Sequence, residues 1–192
     1  MSVILKPQGT LHDSLLITTA AAVAVYRAVE QICGIQLDIK WVNDLFYHGR
    51  KVCGILTEAV TDFESGNIDF VVVGIGLNLY QDSDTLPTEL QKIAGALYTD
   101  REAADTADRN RLAAVIVNEL RKETRDLKLS PDYISHNMIP GHEITITDGK
   151  SSRKAFALEI CQDGRLKVRE RRQCWHLEKC RYLYKRNQRN KR

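Results

Sequence analysis

Between Asp13 and Gly34 the chain carries a helix-length segment whose middle, Ala20-Ala-Ala-Val-Ala-Val25, is apolar on nearly every face. A helix without a polar side has nothing to turn toward water, so it must be enclosed by other elements of a core. Asp13 stands at an N-cap position, and Gly34 stands where a left-handed residue ends a helix. The uninterrupted apolar run, residues 20–26, is far shorter than the roughly 20 residues of a membrane span. A membrane protein is therefore not expected. The start, Met1-Ser-Val-Ile-Leu-Lys-Pro7, has no signal-peptide pattern, and a cytoplasmic setting is expected.

The elements enclosing that helix read mostly as strands. Residues 2–6 alternate weakly and end at Pro7. Strands are expected at 35–41, 45–47 and 51–61, with His48-Gly49-Arg50 as a glycine turn, and at 68–73 after the polar turn 62–67. Val71-Val-Val73 reads as a strand buried on both faces. A helix entered through Pro87 is expected over 85–97. A longer one follows Asp108, with Leu112, Val115, Ile116, Leu120 and Leu127 at helical spacing. Residues 131–140 close this unit. Short strands then recur at 143–147, 154–161, 165–170 and 173–182, with Asp148-Gly149 and Asp163-Gly164 as turns, the pattern of a small β-barrel. The expected class is α+β, a mixed, mainly antiparallel sheet packed on helices. It divides into 1–138, a barrel at 139–184 and a basic disordered tail at 185–192.

Charge sharpens that division. Residues 165–192 hold 12 lysines and arginines against Glu170 and Glu178, while the chain as a whole carries +3. The body is acidic and the end basic. The last residues have no apolar side chain after Tyr184 and cannot anchor in a core. The five cysteines, at 33, 53, 161, 174 and 180, are odd in number and widely spread, which fits reduced thiols. Cys174, His176 and Cys180 lack a fourth ligand, so no metal site is assigned.

The densest chemistry lies in Lys40-Trp41-Val42-Asn43-Asp44 and Gly49-Arg50-Lys51-Val52-Cys53-Gly54-Ile55-Leu56-Thr57-Glu58. Two lysines, an arginine, an asparagine and two carboxylates fall within 19 residues on adjoining strands. Gly54, inside an apolar strand, marks a bulge or a close approach of backbone or ligand.

These two strings and Val73-Gly74-Ile-Gly76-Leu-Asn78 resemble three consecutive motifs of the biotin–protein ligase catalytic domain, in family order. Residues 141 to about 182 resemble that family's C-terminal SH3-like barrel. The implied fold is a class II aminoacyl-tRNA synthetase-like ligase fold. The implied reaction activates biotin with ATP and Mg2+ to biotinyl-5'-adenylate and transfers it to a lysine of the biotin carboxyl carrier domain of a carboxylase. By the same resemblance Lys51 contacts the carboxylate and the α-phosphate. Asp44 and Asn43 place the reacting groups, and Arg50 stands among the residues implied to bind biotin or the adenylate, though it need not share the role of Lys51. Gly54 and Ile55 line the biotin slot, and Gly74, Gly76 and Asn78 lie at the nucleotide. Trp41 either contacts the nucleotide or packs in the core.

Val42 stands where the family usually has proline, and Cys53 where it has a smaller residue. The family's Gly-Arg-rich phosphate loop has no counterpart in this sequence, so a missing N-terminal half, supplied by a partner chain or an upstream segment, or a homo-oligomer, is expected. With no winged helix, operator DNA binding is not. Lipoate ligases share the implied fold, but the Lys-Trp-x-Asn-Asp and Gly-Arg-Lys-x-x-Gly-Ile-Leu strings favour biotin. Two other readings stand beside the ligase: a noncatalytic biotin or adenylate-binding module, and a nucleic-acid-associated protein acting through its basic end.

Overall fold

The computed structural model describes residues 1–7, 13–61, 68–82, 86–148, 151–171, 173–178 and 181–183. The turn expected at 62–67, Gly149 of the Asp148-Gly149 turn, Cys180 and the tail at 185–192 lie outside them. The chain forms two compact units, Met1–Met138 and Ile139–Arg192.

In the first unit, β1 (Ser2–Leu5), α1 (Ser14–Cys33), β2 (Asp38–Lys40), β3 (Asp44–Tyr47), β4 (Arg50–Thr61) and β5 (Ile68–Leu77) come first. The helices α2 (Thr88–Gln91), α3 (Arg101–Thr106), α4 (Arg109–Glu123) and α5 (Pro131–Ser135) follow. The sheet order is β1-β5-β4-β3-β2, with every neighbouring pair antiparallel. His48 and Gly49 take φ of 49° and 75° between the paired residues Tyr47 and Arg50. Two left-handed residues in a two-residue loop are what a tight hairpin needs, and glycine supplies one of them without strain.

Helix α1 lies against this sheet, and residues 16–26, 28 and 29 are buried. By length and composition the whole helix, unlike residues 20–26 alone, is long and apolar enough to cross a membrane, as a core helix also can be, and most of it is buried here. Leu112, Ile116 and Leu120 form the buried stripe of α4, which packs on α1. Arg27 of α1 reaches Glu123 at 2.6 Å, Glu119 at 3.3 Å and Asp132 at 2.7 Å, tying α1 to α4 and α5. Gly34, at φ 67°, closes α1 with its N–H on the Glu30 carbonyl.

Several expectations change. The strand at 35–41 shortens to β2, because residues 34–37 leave the helix first. Val72 is half-buried while Val71 and Val73 are buried, so β5 has one core face rather than two. The helix at 85–97 is only α2. Beyond it, Ile93 and Gly95 bond to the backbone of Lys51, and Leu97 bonds to that of Asn78. Helices α3 and α5 are additions. Asp108 caps α4 by accepting the Arg111 N–H, and Asp100 caps α3.

The second unit is one antiparallel sheet of β6 (Glu143–Asp148), β7 (Ser151–Ile160), β8 (Leu166–Glu170), β9 (Gln173–Leu177) and β10 (Arg181–Leu183), ordered β10-β6-β7-β8-β9. The segment expected as one strand over 173–182 is two, β9 and β10, on opposite edges. Ile144, Ile146, Ala155, Ala157, Ile160, Leu166 and Val168 are its buried residues among those described.

Candidate functional site

Strand β4 has two faces with different fates. Thr57 accepts a hydrogen bond from Thr18 of α1 at 2.9 Å, so Thr57, Ile55 and Cys53 look toward the helix. Gly54, Leu56, Glu58 and Val60 then lie on the opposite, open face. Leu56 is 61% exposed there. Across the β4–β5 ladder Gly54 stands opposite Gly76, and Leu56 stands opposite Gly74. The three glycines therefore share the open face. Cβ atoms on Gly74 and Gly76 would meet only ordinary contacts at 3.6 Å or more. Packing does not require glycine at these two positions; its effect is a bare strip of backbone.

Simple alternation would send Lys51 to the α1 face with Cys53. It does not go there, because the β3–β4 register slips by one: Leu45 pairs with Cys53, but Phe46 pairs with Lys51. Val52 is the extra residue of a bulge, and a bulge re-aims the side chains next to it. Lys51 therefore joins Gly54 and Asp44 on the open face. Its Nζ lies 2.5 Å from Asp44 Oδ1, and both side chains are partly exposed. A Cβ on Gly54 would lie 3.1 Å from the Lys51 Nζ. Gly54 is thus the space the ammonium occupies, and the bulge that its sequence context evoked sits two residues earlier.

Asn43 fastens the loop before β3. Its Nδ2 donates to the Ile55 carbonyl at 2.6 Å, and its own carbonyl accepts the Ile55 N–H at 2.9 Å. The backbone of Ile55 is thereby engaged, and its side chain is 2% exposed toward α1. Ile55 supports the floor rather than offering free backbone groups to a ligand. Trp41 is also 2% exposed, a core position behind the site. Tyr133, wholly buried on α5, donates to the Val42 carbonyl at 2.8 Å, and burial holds its hydroxyl well above the ordinary phenol value. Arg50 is exposed beside the hairpin. The Cys53 thiol is pushed up to about 12, first by burial and then by the Asp44 carboxylate; it stays protonated and is no nucleophile at neutral pH.

Asn78 follows the glycine pair at the end of β5. Its Nδ2 donates to the Gly95 carbonyl at 3.0 Å, and its N–H donates to the Val52 carbonyl at 2.8 Å. Gly95 and Ile93, which hold the Lys51 backbone, were not foreseen. The signal available was Gly95, near the end of the helix expected over 85–97.

An ammonium beside a carboxylate, above a strip of glycine backbone, can hold an anion whose flat neighbours lie on the sheet. Residues 1–78 match the model of the biotin/lipoate A/B protein ligase family. All ten sequence-predicted site residues fall inside that biotin/lipoate ligase match. The bifunctional ligase/repressor BirA of Bacillus spizizenii is 38% identical over 140 residues, 73% of this chain and 40% of that protein. The biotin–[acetyl-CoA-carboxylase] ligase of Mycobacterium tuberculosis is 29% identical over 159 residues, 78% of this chain and 55% of that protein. The chain thus spans about two-fifths of the length of the Bacillus relative. The apo structure of biotin protein ligase from Aquifex aeolicus matches with a TM-score of 0.76 at 20% identity, covering 96% of this chain and 81% of that one. Its complex with biotin and ATP gives 0.70 at 22%, covering 95% and 75%. These likenesses show the fold, an α+β ligase fold.

Proposed function

We propose that the site binds biotin and its adenylate and serves a biotin–protein ligase. The observation that carries this reading is the Lys51 ammonium, delivered by the Val52 bulge onto the glycine strip beside Asp44. In the first step a carboxylate oxygen of biotin attacks the α-phosphorus of ATP. A P–O bond forms there and the bond to pyrophosphate breaks. Negative charge gathers where the two anions meet, and a fixed ammonium offsets it. In the second step the amine of a carrier lysine attacks the acyl carbon, AMP leaves, and the amine gives up a proton. Once an anion takes Lys51, Asp44 is free to orient the incoming ammonium and help it lose that proton. Gly54 leaves room for the Lys51 ammonium, Gly74 and Gly76 let flat groups lie on backbone, and Asn43 keeps the floor in place.

The described residues hold no cluster of three acids, histidines or cysteines for a resident metal; Mg2+ enters this reading with ATP, as part of the substrate. The relatives named as acetyl-CoA-carboxylase ligases support a carboxylase carrier domain as the acceptor. We read the second unit as the SH3-like barrel of such ligases and the setting as cytoplasmic. The test supplies ATP, magnesium, biotin and a carrier domain, and follows adenylate formation and carrier labelling separately. Adenylate formed or bound with dependence on Lys51 supports the reading. A chain that neither forms nor binds the adenylate contradicts it.

A further inference from the structure

Residues 92–97, the segment that displaces the expected helix, grip Lys51 from one side. The Lys51 N–H donates to the Ile93 carbonyl, and the Lys51 carbonyl accepts the Gly95 N–H, both at 2.8 Å. The strap comes this near because position 95 is glycine: a Cβ there would lie 2.7 Å from the Cβ of Arg50. Gly95 in turn passes its own carbonyl to the Asn78 amide at 3.0 Å. The Asn78 backbone completes the arrangement, donating to Val52 at 2.8 Å and accepting the Leu97 N–H at 3.0 Å. Asn78 thus touches the extra residue of the bulge with its backbone and the strap with its side chain.

We infer that Asn78 is a positioning residue for Lys51, acting through the Gly95 strap to hold the bulged backbone that aims the ammonium over Gly54. A bulge interrupts the ladder and leaves the extra residue's polar groups to find other partners. Here the Asn78 N–H takes the Val52 carbonyl, and the strap takes both polar groups of Lys51. Without the side-chain bond to Gly95 the strap loses its tie to β5. The bulge can then relax toward regular alternation, which points Lys51 at α1. The inference rests on the reading of Lys51 given under Proposed function and differs from a direct contact between Asn78 and a ligand.

The experiment uses the whole chain with Asn78→Ala, and with Asn78→Ser as a smaller disturbance whose hydroxyl is too short to replace the amide. Amide hydrogen exchange is measured at Lys51 and Gly95. Affinity is measured for biotin and for neutral biotinamide, each in the parent and in the Lys51→Ala background. The expected result is faster exchange at both amides and biotin binding weakened on the order of tenfold, with biotinamide binding unchanged and no further loss once Lys51 is alanine. Equal losses for biotin and biotinamide, a full additional loss in the Lys51→Ala background, or unchanged exchange would overturn the inference. Failure of the parent to bind biotin would instead overturn the functional reading, and the exchange result would still decide whether Asn78 holds the strap.

Discussion

A Cβ on Gly54 would lie 3.1 Å from both Cε and Nζ of Lys51. The position is glycine because the ammonium fills the space, which makes it a graded probe of the site. Gly54→Ala meets the far end of a flexible side chain, so the fold should accommodate it, with a change in stability within about 1 kcal/mol. Lys51 has to move by a few tenths of an ångström or more, and biotin binding should fall by about tenfold or more. Parallel melting and biotin titration check this; unchanged binding would separate Gly54 from the action of Lys51.

Cys53 supplies a pH-dependent prediction. Its thiol rises from 9.0 to about 12 in the fold. Below pH 9 both folded and unfolded chains keep it protonated. Between about 9 and 12 only the unfolded chain ionises it, so this group's contribution to stability is lost as pH rises through that window. At pH 8 an alkylating reagent should modify exposed Cys174 and spare Cys53 until the chain is unfolded. Mass spectrometry of the labelled peptides reads this directly.

Arg27 should matter for stability rather than for ligand binding. Burial opposes its charge, but the hydrogen bonds to Asp132 and Glu123 outweigh that and raise its pKa. Replacing it with methionine leaves Glu119, Glu123 and Asp132 without their shared cation. Exposed pairs contribute up to about 1 kcal/mol and breaking buried ones costs about 3–5, so this half-buried cluster should cost roughly 2 kcal/mol. Glu119 is held below the ordinary carboxylate value, chiefly by its bond from Lys122. The stability that group contributes is present above its unfolded value and lost as pH falls through its folded one. Arg27 adds a smaller part of that lowering, so the gap between parent and Arg27→Met in denaturant titrations should be modestly larger at pH 7 than at pH 3.

The motifs made Lys51, Asp44 and the three glycines legible in the sequence, and the apolar helix made the core legible. The aim of Lys51 was not. Alternation counted from Gly54 sends it to the wrong face, and a bulge leaves no mark in composition when the extra residue is an ordinary valine. The strap was hidden for a different reason. Leu90, Ile93 and Leu97 recur at helical spacing, yet Gly95 weakens that helix, and pairing with Lys51 wins over local propensity. Ile55 read as a pocket residue because it sits in the motif, while its backbone is committed to Asn43. Trp41, left open between nucleotide and core, lies in the core.

The most direct measurement is calorimetric titration of the chain and of Lys51→Ala with a non-hydrolysable biotinyl-adenylate analogue. Binding by the parent is predicted, with a loss in Lys51→Ala of about 1.5–3 kcal/mol, the range for a charge-assisted hydrogen bond. Equal affinity in the two proteins would contradict the account.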